Sequence, residues 1–142
     1  MAYQFNPFTG NFDVVRNLEV VTTASALTNG WSLSISTTVP KQTFYISADS
    51  ASQSSSNTPF GSTAPINGAE ITLVGASDSL FPRIIGANVA KGIIGFSSYE
   101  LHQGETITFK YISSLDRFVI VGKSNNQGNS RKHKENLLIF IY

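Results

Sequence analysis

The sequence predicts an all-β protein, a jelly-roll-like β-sandwich preceded by an extended N-terminal arm. Three observations carry this expectation. Short runs that alternate apolar and polar residues at period two recur between residues 25 and 122, as half-buried strands require. Gly, Pro, Asn and Asp punctuate those runs at hairpin spacing. No stretch sustains a capped helical periodicity over three turns. The 142 residues make one domain's worth of chain, enough to bury roughly 70% of the unfolded surface without covalent staples.

Residues 1–24 form the expected arm. Tyr3, Phe5, Phe8 and Phe12 put four aromatic rings within ten residues, and Pro7 and Gly10 interrupt any helix. So many rings on so short a segment need another surface, in the same chain or in a partner. Between Val14 and Thr23 the pattern is divided. Val14, Val15, Leu18 and Val21 fit one helical face, whereas Val20, Val21, Thr22 and Thr23 are β-branched and favour strand or extended arm.

Residues 25–142 are the expected sandwich domain. The turn signal Asn29-Gly30 opens a strand over Trp31–Ser36. Thr43–Ser47 is a second strand, and Ala69–Val74 a third, opened by Asn67-Gly68. Arg83–Ile85, Gly92–Ile94 and Tyr99–Leu101 read as short strands, followed by Thr106–Ile112 and Arg117–Val121. Gln103-Gly104 and Ser114-Leu115-Asp116 supply the intervening turns. Ser50–Pro65, low in apolar residues and too long for a simple turn, is expected to be an exposed loop. A polar tail begins at Lys123. It ends in Leu137–Tyr142, an apolar run best hidden as a central strand.

Composition narrows the chemistry. There is no cysteine, which excludes disulfide scaffolds and thiolate metal sites. The two histidines, His102 and His133, make a catalytic zinc site improbable. Charged residues are 13% of the chain, about half the usual share. Thirty-one serines and threonines accompany them, as on a β-rich surface partly covered by neighbours. The six-residue run Leu137–Tyr142 is the longest apolar stretch, far short of the ~20 residues of a membrane helix. No basic, apolar leader opens the chain, so a protein made soluble, with no membrane partner, is expected.

Residues 1–122 carry six Lys/Arg against eight Asp/Glu, and residues 123–142 four against one. The basic run Arg131, Lys132, His133, Lys134 is the best nucleic-acid candidate, but one loop without a wider basic face binds weakly. Nucleic acid is therefore disfavoured. Arg131, Lys132 and Lys134 read instead as a solvated tip or as inter-subunit contacts to an acidic neighbour.

Catalytic signals are sparse. No Gly-x-Ser-x-Gly string is present, and the glycines Gly86, Gly92 and Gly95 make no phosphate loop. Glu100, His102 and Glu105 gather around one turn in the manner of an acid–base group, but read first as solvated side chains. Trp31, Tyr45, Phe96 and Tyr99 are either core or a stacking platform for a host glycan. No enzyme activity, no catalytic residue, no cofactor and no metal site are expected.

The string Asn6-Pro-Phe-Thr-Gly-Asn-Phe-Asp13 resembles a segment that opens many small structural proteins of tailed bacteriophages. The resemblance implies a virion location, with Tyr3, Phe5, Asn6, Pro7, Phe8, Phe12 and Asp13 as anchoring residues. Residues 69–122 are similar, more loosely, to β-domains of phage fibre, collar and capsid-decoration proteins, which often form trimers. That likeness implies a homotrimer whose partners are capsid or tail components. It suits a C-terminal strand near the symmetry axis, with Phe140 and Tyr142 as inter-subunit contacts. Only about 120 residues follow the arm, which favours a decoration (cement) protein or short adaptor over a full fibre. The alternative is a glycan- or receptor-binding module of a fibre or baseplate, reading the host through Ser50–Pro65.

Overall fold

The computed structural model describes residues 2–6, 11–15 and 19–125. These residues form ten strands and no helix: β1 Ala2–Asn6, β2 Asn11–Val15, β3 Glu19–Leu27, β4 Lys41–Ala48, β5 Ser52–Ser54, β6 Glu70–Gly75, β7 Phe81–Ile85, β8 Ser98–Glu100, β9 Glu105–Ile112 and β10 Arg117–Asn125. The protein is all-β, and its two larger sheets are those of a β-sandwich. One has five strands in the order β10-β9-β6-β4-β3, the other three in the order β5-β7-β8. β1 and β2 form a separate antiparallel pair.

The larger sheet is mixed. β3, β4 and β6 run parallel as neighbours, while β6, β9 and β10 are antiparallel. Parallel neighbours cannot be joined by a tight hairpin and need a crossover of a dozen or more residues. Here the crossovers supply the second layer. Residues 28–40 bring Trp31 and Leu33, residues 49–69 bring β5 and Phe60, and residues 76–104 bring β7, β8, Ile84, Ile93 and Leu101.

Alternation directs one face of each large-sheet strand inward. Gln42, Phe44, Ile46 and Ala48 are buried on β4, Ile71 and Leu73 on β6, and Glu105, Ile107, Phe109 and Tyr111 on β9. The crossover residues pack on this face to form one core. Phe60 lies at its centre, with ring centroids 4.6 Å from Phe118 and 5.5 Å from Phe109.

Several expectations are corrected. Residues 31–36 pair with no strand beyond a single bridge from Trp31 to Ser55, although Trp31 and Leu33 are buried and Ser32 and Ser34 exposed, as the alternation requires. The chain there is tied by isolated bonds. Ser56 N–H donates to the Trp31 carbonyl, and Leu33 N–H to the Pro59 carbonyl. The buried Gln42 amide receives Ser36 N–H at 2.6 Å and donates to the Ser36 carbonyl at 2.9 Å, replacing a ladder rung with a side chain.

Ser50–Pro65 is no exposed loop. It contains β5, and Pro59, Phe60 and Pro65 are buried. Gly92–Ile94 makes one bridge, from Ile93 to Phe118, in place of a strand. The boundary expected after residue 24 falls inside β3, whose β-branched Val20–Thr23 carry the large sheet back to Glu19. Lys123–Asn125 belong to β10 and not to a tail. A bulge between Ile120 and Gly122 re-aims this end of β10. Lys123 then sits opposite inward-facing Ile107, with its ammonium 4.4 Å from the Tyr99 ring centroid.

Candidate functional site

The leading residues form a two-stranded ribbon. Tyr3 lies opposite Val14, Gln4 opposite Asp13, Phe5 opposite Phe12 and Asn6 opposite Asn11. Opposed residues share a face and successive residues alternate. Tyr3, Phe5, Phe12 and Val14 thus hold alternate register positions of the ladder, and Gln4, Asn6, Asn11 and Asp13 the intervening ones. The ribbon's ladder belongs to neither large sheet. Such a pair is marginally stable at best in water unless a third element or surface covers it. Of the anchoring residues expected from the sequence, Tyr3, Phe5, Asn6, Phe12 and Asp13 come together here. Pro7 and Phe8 lie outside the described residues, as do Arg131, Lys132, Lys134, Phe140, Tyr142 and the whole run Leu137–Tyr142.

Glu100, His102 and Glu105 do meet, in a group that the sequence reads first as solvated side chains. Arg83 on β7 lies opposite Glu100 on β8, and its guanidinium reaches Oε2 at 3.2 Å. Ser52 on β5 donates its hydroxyl to the same oxygen at 3.0 Å. His102 Nε2 meets Oε1 at 2.9 Å, and its ring packs against Phe81 with centroids 4.2 Å apart. Glu105 is buried and accepts the His102 backbone N–H at 2.7 Å. The burial corrects the solvated reading. It was legible from period two, because Glu105 begins the face that continues through Ile107, Phe109 and Tyr111.

The hydrogen bond from His102 holds the Glu100 carboxyl below its ordinary range, helped by Ser52 and by the charges of His102 and Arg83, against the opposing effect of burial. A carboxylate so held is a weak base. Ser52 points at Glu100 and not at His102, so this is a brace across β5, β7 and β8 without the nucleophile-to-imidazole contact of acyl transfer. Among the described residues, no three His, Cys, Asp or Glu side chains are placed to hold a metal ion.

A second polar group escapes sequence reasoning altogether. Tyr111 donates to Asp116, which also pairs with Lys91 at 3.3 Å. Lys91 N–H donates to the Asp116 carbonyl at 2.6 Å. Lys91 and Asp116 both have positive φ, 61° and 51°, so each occupies a tight bend that costs a non-glycine residue energy. The four-residue turn after β9 is thereby pinned to the loop that precedes Ile93.

The proposed glycan platform is dispersed. Trp31 is 5% exposed and spends its indole N–H on the Gln53 carbonyl at 2.8 Å. Phe96 and Tyr99 pack against the core, leaving Tyr45, 43% exposed, on the opposite face of the large sheet. Comparison with known proteins finds no matching family model, no matching curated protein and no matching solved structure.

Proposed function

We propose that this chain is a non-enzymatic structural protein of a tailed-phage virion, a decoration protein or short adaptor that docks through its leading ribbon. The observation that carries the reading is the ribbon itself, a separate two-stranded sheet with Tyr3, Phe5 and Phe12 at alternate positions of its register. Burying an aromatic side chain removes about 150–250 Å² from water, so three such rings on a foreign surface would hold a subunit firmly. The resemblance of Asn6–Asp13 to phage structural proteins supports the virion as that surface.

The sandwich then acts as the displayed body. The Arg83–Glu100–His102 brace and the Tyr111–Asp116–Lys91 pin keep the second layer in register and need no chemical role. The test is binding of the purified chain to particles stripped of it. Phe5→Ser/Phe12→Ser is expected to abolish rebinding while leaving the thermal transition of the body within a few degrees. Rebinding at parental affinity rejects the reading.

A further inference from the structure

The outer face of the five-stranded sheet is ordered in rows by its register. One row runs Glu19, Lys41, Glu70, Lys110 across β3, β4, β6 and β9. The next is Val21, Thr43, Thr72, Thr108, with the two central hydroxyls of Thr72 and Thr108 at 2.9 Å. The third is Thr23, Tyr45, Val74, Thr106. Val21 is 61% exposed and Tyr45 43%. Although the charges alternate in sign, none of the four lies within 4.0 Å of an opposite charge among the described residues.

An alternating row of four has a particular symmetry. Read backwards it is its own complement: acid falls on base at every position. A twofold axis parallel to the strands, between β4 and β6, performs that reversal. We propose that this face is an isologous interface between two copies of the chain, with Lys41 of each copy facing Glu70 of the other and Glu19 facing Lys110. The same operation sets Tyr45 against Val74 and Thr43 against Thr72 of the second copy. This meets the requirement that one patch contact itself with partners exchanged.

Facing sheets pack about 10 Å apart with strands within about 30° of each other, a gap that Lys and Glu side chains span together. At ordinary strand spacing and rise the patch measures about 19 Å by about 20 Å. That lies below the range of stable interfaces, among weak and transient contacts, so the dimer is expected only at high concentration and weakens with salt. The inference does not depend on the virion reading, since it concerns the purified chain alone.

Sedimentation velocity of the full chain at low and high salt tests it. Lys41→Glu sets like charges against each other at two symmetry-related places and is expected to weaken the dimer about tenfold or more. Lys41→Glu/Glu70→Lys is expected to return it to within about threefold of the parent. The double variant restores complementarity only between copies. Within one sheet it leaves two acids beside two bases, so a purely intramolecular role for the row predicts no rescue. Glu19→Lys/Lys110→Glu repeats the test at the other end of the row, with circular dichroism confirming the fold of each variant. A chain that stays monomeric, or an assembly of any order that is indifferent to Lys41→Glu or not rescued by the double exchange, overturns the proposal.

Discussion

Tyr111 gives its hydroxyl hydrogen to Asp116 at 2.5 Å, joining the last buried position of β9 to the turn that follows it. The bond acts on both acids. It pushes the Tyr111 phenol up to about 12 and holds the Asp116 carboxyl below its ordinary value, with Lys91 and Arg117 adding to the latter.

The pH dependence follows with opposite signs at the two ends. Tyr111 is easier to deprotonate when unfolded, so its contribution is complete below pH ~10. It is lost as pH rises toward about 12. Asp116 is harder to protonate when folded, so its contribution is present above the unfolded carboxylate value near ~3.9 and is lost as pH falls through the lowered folded value. Tyr111→Phe is expected to cost about 1 kcal/mol at neutral pH. It should also flatten the decline of the melting temperature between pH 10 and 12, as read by thermal denaturation.

Phe60→Ala is expected to be among the most damaging substitutions in the body. The ring is 1% exposed and touches both Phe109 and Phe118. Its removal leaves a cavity between layers and should cost about 3–5 kcal/mol in urea unfolding.

Gln42→Leu keeps the volume but removes both halves of the amide pair with Ser36. The Ser36 backbone then has a donor and an acceptor without their partner, for a loss of about 1–3 kcal/mol. Hydrogen exchange should localise the effect, with the Ser36 amide losing protection before the amides of β4.

The brace makes a site-resolved prediction. His102→Ala removes the leading cause of the low Glu100 value, so the Glu100 carboxyl should titrate at higher pH than in the parent. Because its folded value is lowered, Glu100 stabilises above the unfolded carboxylate value and that gain disappears as pH falls through the folded one. Carboxyl-detected NMR titration of both proteins reads the difference, which should grow further in Arg83→Ala/His102→Ala.

What the sequence discloses is period two and turn chemistry. β4, β6 and β9 announce themselves because Phe44, Ile46, Ile71, Leu73, Ile107 and Phe109 alternate with polar residues over whole strands. Asn29-Gly30, Asn67-Gly68 and Gly104 mark bends that the structure confirms with positive φ at all three glycines. Period two reports burial and not pairing, and Trp31–Ser36 shows the difference: the alternation is real, yet a glutamine side chain takes the place of a neighbouring strand.

Phe60 was concealed for another reason. Its flanking serines and glycine describe a solvated loop, and only the long-range need of two parallel crossovers to fill the core draws it inside. The same distance effect hides two partners of Glu100, since Ser52 and Arg83 are brought to it by strands that the sequence separates. Gly75 became interpretable only in three dimensions. A Cβ there would collide with the His102 carbonyl, so Gly75→Ala should displace the 101–105 turn and loosen the brace. A drop in melting temperature with loss of the His102–Glu100 coupling in the same titration would register it.

The central proposal is that the leading ribbon docks on another protein of the particle, and copy number per particle measures this most directly. Particles assembled with the intact chain should carry it at a fixed, saturable stoichiometry by quantitative mass spectrometry. Particles assembled with a chain lacking residues 1–15 should carry almost none, although the shortened protein remains folded in the same lysate. Equal copy numbers for the two chains would contradict the account.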